Sequence, residues 1–305
     1  MDAKVEGIVV GYDGSEGAGV ALDWASDKAK REGKPLTILH TLDMSTVPQF
    51  RAVPMTIDMT EIDGMENEFL QRGADRARKI LGPEADIRPV RSIGSAAAEL
   101  VAASKSADLV VTGSRGRGRL MGGLLGSTAY NVTAHSACPA VVVRSDGGVA
   151  PIHPGPDHRV VVAVDDSEPA GRALDEAARV AHDSGALLHI VTVAQVSLLA
   201  PWMTDGSPYD IRPDVGKEIT EKARRLAEES LVSAVAHVAD RYPDLDVDKD
   251  VLLGDTGGRA VADFGGDAGL IVVGARGRGG FLGMLLGSFS HSVIHYATCP
   301  VLVVR

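Results

Sequence analysis

With 31 Lys and Arg against 41 Asp and Glu, the 305-residue chain has a formal charge of −10 at pH 7. That sign argues against a broad grip on nucleic acid, which needs a basic surface able to release counterions; no apolar run approaches the roughly 18 residues of a bilayer span, which argues against membrane insertion. The length predicts two domains of about 100–200 residues each, and two cysteines, Cys138 and Cys299, read as free thiols in a reducing cytoplasm rather than as a disulfide framework.

In chain order, short Val/Ile/Leu runs alternate with longer amphipathic stretches. A strand near 7–12 leads to Ser15, a candidate N-cap for the first helix, and a second strand covers 35–42. Residues 43–60, with Pro and Met, break the pattern as a long loop, either a lid or a plain surface excursion, before the helical spacing of EFLQRGADRARKIL (68–81). Strands near 85–91 and 108–113 follow, then GSRGRGRLMGGLLGS (113–127), a helix starting near Ser127, and a last strand at 139–144. Runs apolar on both faces suit buried parallel strands, so the pattern predicts an α/β fold of the doubly wound kind.

The rest of the chain repeats this unit. IVVGYDGSE (8–16) matches VVVAVDDSE (160–168), LTILHTLD (36–43) matches LHIVTVAQ (188–195), and CPAVVVR (138–144) matches CPVLVVR (299–305). Ser167 is a second N-cap candidate, with Pro169 tolerated in the first turn. A second long loop is expected at 195–216, before the helical KARRLAEESLVSAVAHVADRY (222–242). Between the halves, SDGGVAPIHPGPDH (145–158) lacks apolar periodicity, and the expected organisation is two tandem domains, 1–147 and 158–305, joined by a linker at 148–157.

The glycine stretch recurs as GARGRGGFLGMLLGS (274–288). Each copy runs from a strand end to a helix start, the edge of an open α/β sheet at which ligands bind. Glycine at 113, 116, 118 and 126 allows close backbone approach or positive φ, and successive amides with Ser127 at a helix N-terminus suit phosphate; a packing role for the glycines is the alternative. Arg115 and Arg117, with Arg276 and Arg278, add cationic donors. The stretch is neither a Walker A loop nor the dinucleotide fingerprint.

The repeated pattern G-x2-G-x9-G-S, with IVVGYDGS and GSTAYNVTAHSACPAVVV, resembles the universal stress protein family in its ATP-binding branch, over nearly the whole chain. The resemblance implies a Rossmann-like, adenine nucleotide alpha hydrolase-like domain in each half, a five-stranded parallel sheet flanked by helices, with ATP across the ends of the first and fourth strands. It assigns Asp13 and Asp165 to the adenosine portion, the backbone of Thr41 and Val193 to adenine, and Gly113, Gly116, Gly126, Ser127 and Thr128 to ribose and phosphates. Gly274, Gly277, Gly287, Ser288, Phe289 and Ser290 take those roles in the second half. Asp13 and Asp165 equally fit turn or capping carboxylates, and Ala129 in place of a hydroxyl opposite Ser290 predicts a weaker first site.

A regulatory, stress-response or growth-control protein with one ATP per half is expected, with Mg2+ as companion, hydrolysis slow at most and a regulatory protein as partner. An ATPase or phosphotransferase completed by Asp58, Glu61, Asp205 and Asp210, and a ligand-free interaction module, are the alternatives. His291 and His295 at i, i+4 are compatible with zinc but read better as helix-surface or interface residues. The final strands AVVV and VLVV are edge candidates, predicting an intrachain pseudo-dimer through them and allowing a homodimer beyond it.

Overall fold

The computed structural model describes residues 5–42, 59–114, 116, 125–144, 152–194, 213–253, 257–277 and 285–305, with side chains throughout except at 59–66, 213–217 and 219. The chain divides into two compact units, Met1–Pro151 and Ile152–Arg305. The first runs β1 (Ile8–Gly11), α1 (Glu16–Glu32), β2 (Leu36–Leu42), α2 (Met59–Leu81), β3 (Ile87–Ile93), α3 (Ala96–Ala103), β4 (Leu109–Gly113), α4 (Ser127–His135) and β5 (Ala140–Val143). The second runs β6 (Val160–Ala163), α5 (Glu168–Ser184), β7 (Leu188–Ala194), α6 (Pro213–Arg241), β8 (Val247–Leu253), α7 (Gly257–Phe264), β9 (Leu270–Gly274), α8 (Ser288–Tyr296) and β10 (Val301–Val304).

Each unit is an α/β fold in which the strands pair in parallel, in the order β3-β2-β1-β4-β5 in the first and β8-β7-β6-β9-β10 in the second. Ile8 pairs with Leu36 on one side and Leu109 on the other, as Val160 does with Leu188 and Leu270. Within each unit the strand order therefore reverses at the first strand, which has β2 and β4, or β7 and β9, on its two sides, and a crevice opens at its carboxyl end. Helices cover both faces, so Ile8, Val9 and Val10, like Val160, Val161 and Val162, are fully buried and a continuous apolar run is what these positions demand.

The first helix of each unit is built alike. Ser15 Oγ accepts from the Ala18 amide at 3.2 Å and Ser167 Oγ from the Ala170 amide at 3.3 Å, and both helices end on a left-handed glycine, Gly33 at φ 63° and Gly185 at φ 64°. Pro169 sits in the first turn, where no amide is needed. Both long helices start ahead of their sequence-based bounds. α2 begins at Met59 and α6 at Pro213, inside the stretches expected to be loops, because a polar, charged first section shows weak periodicity yet continues a helix that packing already holds. The rest of those expected loops, 43–58 and 195–212, lies outside the described residues. Residues at the end of the expected linker lie on the second unit: Gly155 and His158 exchange backbone bonds of 3.1 and 3.0 Å, and a Cβ on Gly269 would stand 2.5 Å from the Pro154 nitrogen.

Candidate functional site

At the ends of β1 and β6, Asp13 and Asp165 divide their two oxygens between two tasks. Asp13 Oδ1 accepts from the Ser15 amide at 2.9 Å, and Asp165 Oδ1 accepts from the Ser167 amide at 3.1 Å and its hydroxyl at 2.5 Å, which holds the turn into the helix. The other oxygen faces the glycine loop. A Cβ on Gly116 would lie 2.6 Å from Asp13 Oδ2, and one on Gly277 would run into Asp165 Oδ2. One oxygen of each carboxylate thus holds the turn, and the other is turned to the glycine loop.

The glycine loop is closed at its neck. The Ser114 amide donates to Val143 O and the Gly126 amide to Ser114 O, both at 2.9 Å; the Ala275 amide donates to Val304 O at 2.7 Å and the Gly287 amide to Ala275 O at 2.8 Å. Gly126 and Gly287 are the N-caps of α4 and α8, with φ of −66° and −70°. The amides of the first turn, residues 127–129 and 288–290, have no partner inside the helix and direct its positive end at the loop. Ser127 and Ser288 are exposed there, and Thr128 and Phe289 half-buried.

Positive φ, expected as one reason for these glycines, is not used: Gly113, Gly116, Gly274, Gly277 and Gly287 all avoid the left-handed region. Space is what they provide. A Cβ on Gly113 would meet Gly17 O at 2.8 Å and one on Gly274 would meet Pro169 O at 2.8 Å, so these two let the fourth strand approach the first helix and their role is packing. The buried Ser290 hydroxyl donates to Gly274 O at 2.6 Å and so braces helix against strand. Ala129, its buried counterpart, lacks that brace.

In the second unit these pieces surround a cavity of about 500 Å³, a size ordinary for small-molecule sites. Asp165, Asp166 and Val164 form its floor, Thr192 and Val193 one side, Gly277, Gly287, Ser288 and Phe289 another, and Leu226, Ala227 and Ser230 of α6 the third. β6 has finished where Val193 begins: the last bond across is Val164 N to Val191 O at 2.9 Å, and by strand alternation Val193 turns its main chain to the same, now open, side. Thr192 Oγ1 donates to Val164 O at 2.9 Å. Asp166 stands at φ 57°, the one non-glycine with positive φ among the described residues, and accepts from Ser230 Oγ. Arg276 is exposed on the cavity wall. Burial, and then the nearby Arg276 guanidinium, pull the Arg305 guanidinium below its ordinary range.

The first unit repeats the frame with other side chains. Where the second has Val164, Thr192 and Ser230, the first has Tyr12, His40 and Phe69. His40 Nδ1 takes over the bond to the carbonyl after the strand, at 2.6 Å from Tyr12 O. The Phe69 ring lies against Gly14, with Cζ 2.7 Å and Cδ1 3.0 Å from where a Cβ would be, and stacks on His40 at 5.8 Å and 18°. Phe69 and Ser230 occupy the same place on their helices: two turns further on, Arg76 binds Asp23 at 2.6 Å and His237 binds Asp175 at 2.8 Å. Thr41, like Val193, extends past the neighbouring strand, whose last bond is Tyr12 N to Leu39 O at 2.9 Å.

Sequence reasoning missed Asp166, Thr192, Leu226, Ser230 and the three first-unit aromatics. The exchange of Gly14 for Asp166 was visible in the aligned openings; the pairing of each with a helix residue was not. Arg115, Arg117, Arg278, Asp58, Asp205 and Asp210 lie outside the described residues, as does the side chain of Glu61. His291 and His295 stack on α8 with centroids 6.3 Å apart, and among the described residues no group of three or more His, Cys, Asp or Glu is placed to hold a metal. Both cysteines are free thiols. No described helix is long and apolar enough to cross a membrane.

Comparison with known proteins bears on the whole of this arrangement. The universal stress protein family profile matches residues 5–144 and again 158–305. A universal stress protein of Mycolicibacterium smegmatis is 34% identical over 100% of this chain and 99% of its own length, and one of Mycobacterium tuberculosis is 32% identical over 99% and 98%. The crystal structure of a universal stress protein from Archaeoglobus fulgidus shares the fold with a TM-score of 0.67 at 24% identity, covering 98% of both chains. With two family matches spanning both glycine loops and relatives aligned from end to end, the chain belongs to the universal stress protein family.

Proposed function

We propose that the cavity of the second unit binds an adenine nucleotide of the ATP type and that the protein acts as a nucleotide-responsive regulator. The observation that carries the reading is the convergence on one cavity of an acceptor carboxylate, Asp165, a helix N-terminus at Ser288 and a glycine, Gly277, whose missing Cβ leaves the space beside that carboxylate open. The carboxylate suits hydroxyl or amino donors of the adenosine, and the main chain of Val193 suits the edge of the base. The amides at 288–290, with Arg276, suit the phosphates, which a helix N-terminus attracts by its unpaired donors and dipole. Mg2+ would enter with the triphosphate, and Asp165 and Asp166 are the carboxylates on the cavity wall able to meet it directly or through water.

Regulation is favoured over turnover because phosphoryl transfer needs a positioned base and charge stabilisation beyond a binding cup, and the acidic residues on the described cavity wall are Asp165 and Asp166 alone, the pair that would meet the adenosine and Mg2+. A stress or growth-control output, a protein partner that reads occupancy, and pairing through the final strands are proposed with it on the family and the sequence pattern. Calorimetry with ATP, ADP, AMP and GTP on the intact chain and on Gly277→Ala tests the reading. Adenine nucleotides should bind and GTP should not, and the substitution should remove the second-unit site; binding untouched by Gly277→Ala would place the nucleotide elsewhere.

A further inference from the structure

We propose that Phe69 decides how many nucleotides the chain holds: its ring closes the first unit's cup, so that one nucleotide binds per chain, in the second unit. The inference rests on the nucleotide reading above and departs from the sequence expectation of one per half.

Three cavity-lining residues of the second unit, Val164, Thr192 and Ser230, come from three separate elements. At all three corresponding places the first unit carries an aromatic ring: Tyr12, His40 and Phe69. One such exchange would be ordinary drift; three around one space fill it. The rings also support one another. Phe69 stacks on His40, the Arg72 guanidinium lies 4.6 Å from the Phe69 centroid, and Tyr12 packs on α2 closely enough that a Cβ on Gly73 would meet its ring at 3.0 Å. The stacking that an adenine would offer is already supplied by the chain itself.

The exchange is coupled across the interface of strand end and helix. Phe69 requires Gly14, since any side chain there would enter the ring, whereas Ser230 reaches an aspartate at the same left-handed position. Each pairing excludes the other: the Asp166 side chain could not stand opposite a phenylalanine. Among the described residues the first cup keeps the pieces of the second, with Asp13 Oδ2 facing Gly116 and the loop neck closed at Ser114 and Gly126. Removal of the Phe69 ring should therefore open a site.

Equilibrium dialysis of the full chain with ATP and Mg2+ counts the sites. One per chain is expected for the unsubstituted protein, two for Phe69→Ser, and none for the double substitution Asp166→Gly with Ser230→Phe, which transplants the ring together with the glycine it requires. Two sites in the unsubstituted protein, or a folded Phe69→Ser that still binds one, would overturn the plug while leaving the nucleotide reading in place. A loss of binding in Phe69→Ser relative to the unsubstituted chain would make the ring a stacking platform and overturn it too. Should Phe69→Ser fail to fold by circular dichroism, the double substitution Asp166→Gly with Ser230→Phe decides alone, and retained binding there sinks the proposal. No binding of ATP by the unsubstituted chain overturns the nucleotide reading, and this inference with it.

Discussion

The corner where β1, β2 and α2 meet and its counterpart at β6, β7 and α6 share a backbone plan and differ in what fills it. Both have the split-duty aspartate, the spaced glycine and the helix start on Ser. In one, the Phe69 ring lies against Gly14 and stacks on His40; the other has a cavity of about 500 Å³ lined by Val164, Thr192 and Ser230 among others. The motif therefore builds a frame, and side chains outside the motif line it differently in the two units. A duplicated scaffold can keep its packing glycines, such as Gly113 and Gly274, long after its two cups have become unequal.

The sharpest way to break this comparison is a matched pair of glycine substitutions. Gly277→Ala drives a methyl into the Asp165 carboxylate and should weaken ATP binding at least about tenfold, near 1.4 kcal/mol. Gly116→Ala makes the same intrusion on Asp13 but should leave ATP titration nearly unchanged, because that cup is closed. Equal losses from the two would mean equal sites. Next in size, Ser290→Ala strips the buried donor from Gly274 O and should cost about 1–2 kcal/mol in urea unfolding, with a smaller effect on ATP affinity than Gly277→Ala. A large binding loss with unchanged stability would return Ser290 to the ligand.

Smaller effects test whether the frames are truly alike. Ser15→Ala and Ser167→Ala should each cost about 1 kcal/mol by losing a helix cap, and a clear inequality would show that the scaffolds, not the side chains alone, have diverged. The cysteines give the least. Burial pushes the Cys299 thiol up to about 12, and burial raises the half-exposed Cys138 as well. At pH 8 Cys138 should alkylate faster than Cys299 in the native protein. Below the ordinary value of 9.0 the Cys299 thiol is protonated folded or unfolded; above it the unfolded chain ionises first, so its contribution to stability is lost as pH rises from 9.0 towards about 12.

Much of the frame was readable from local chemistry. The strand runs, the Ser15 and Ser167 caps and the helix starts at Ser127 and Ser288 fall where periodicity and capping residues put them. The early starts of α2 and α6 were hidden, since Gly64 in one and Pro213 and Gly216 in the other interrupt the apolar spacing of Met59, Ile62 and Met65 and of Val215 and Ile219 with residues that read as turn. The roles of Gly113, Gly274 and Ser290 were hidden for another reason: packing and phosphate binding ask for the same small or hydroxyl residues at the same spacing.

By itself, the sequence determined the duplication, the α/β alternation and the sheet edge on which each aspartate and glycine pair stands, because these follow from apolar period, caps and chain order. Only the tertiary structure brought unlike side chains into the two corners. Asp166 meets Ser230 across 64 residues of chain, and Gly14 meets Phe69 across a similar stretch. The register between strand end and helix at such separations is set by how the helix packs on the sheet, a non-local balance of burial that no short-range pattern encodes.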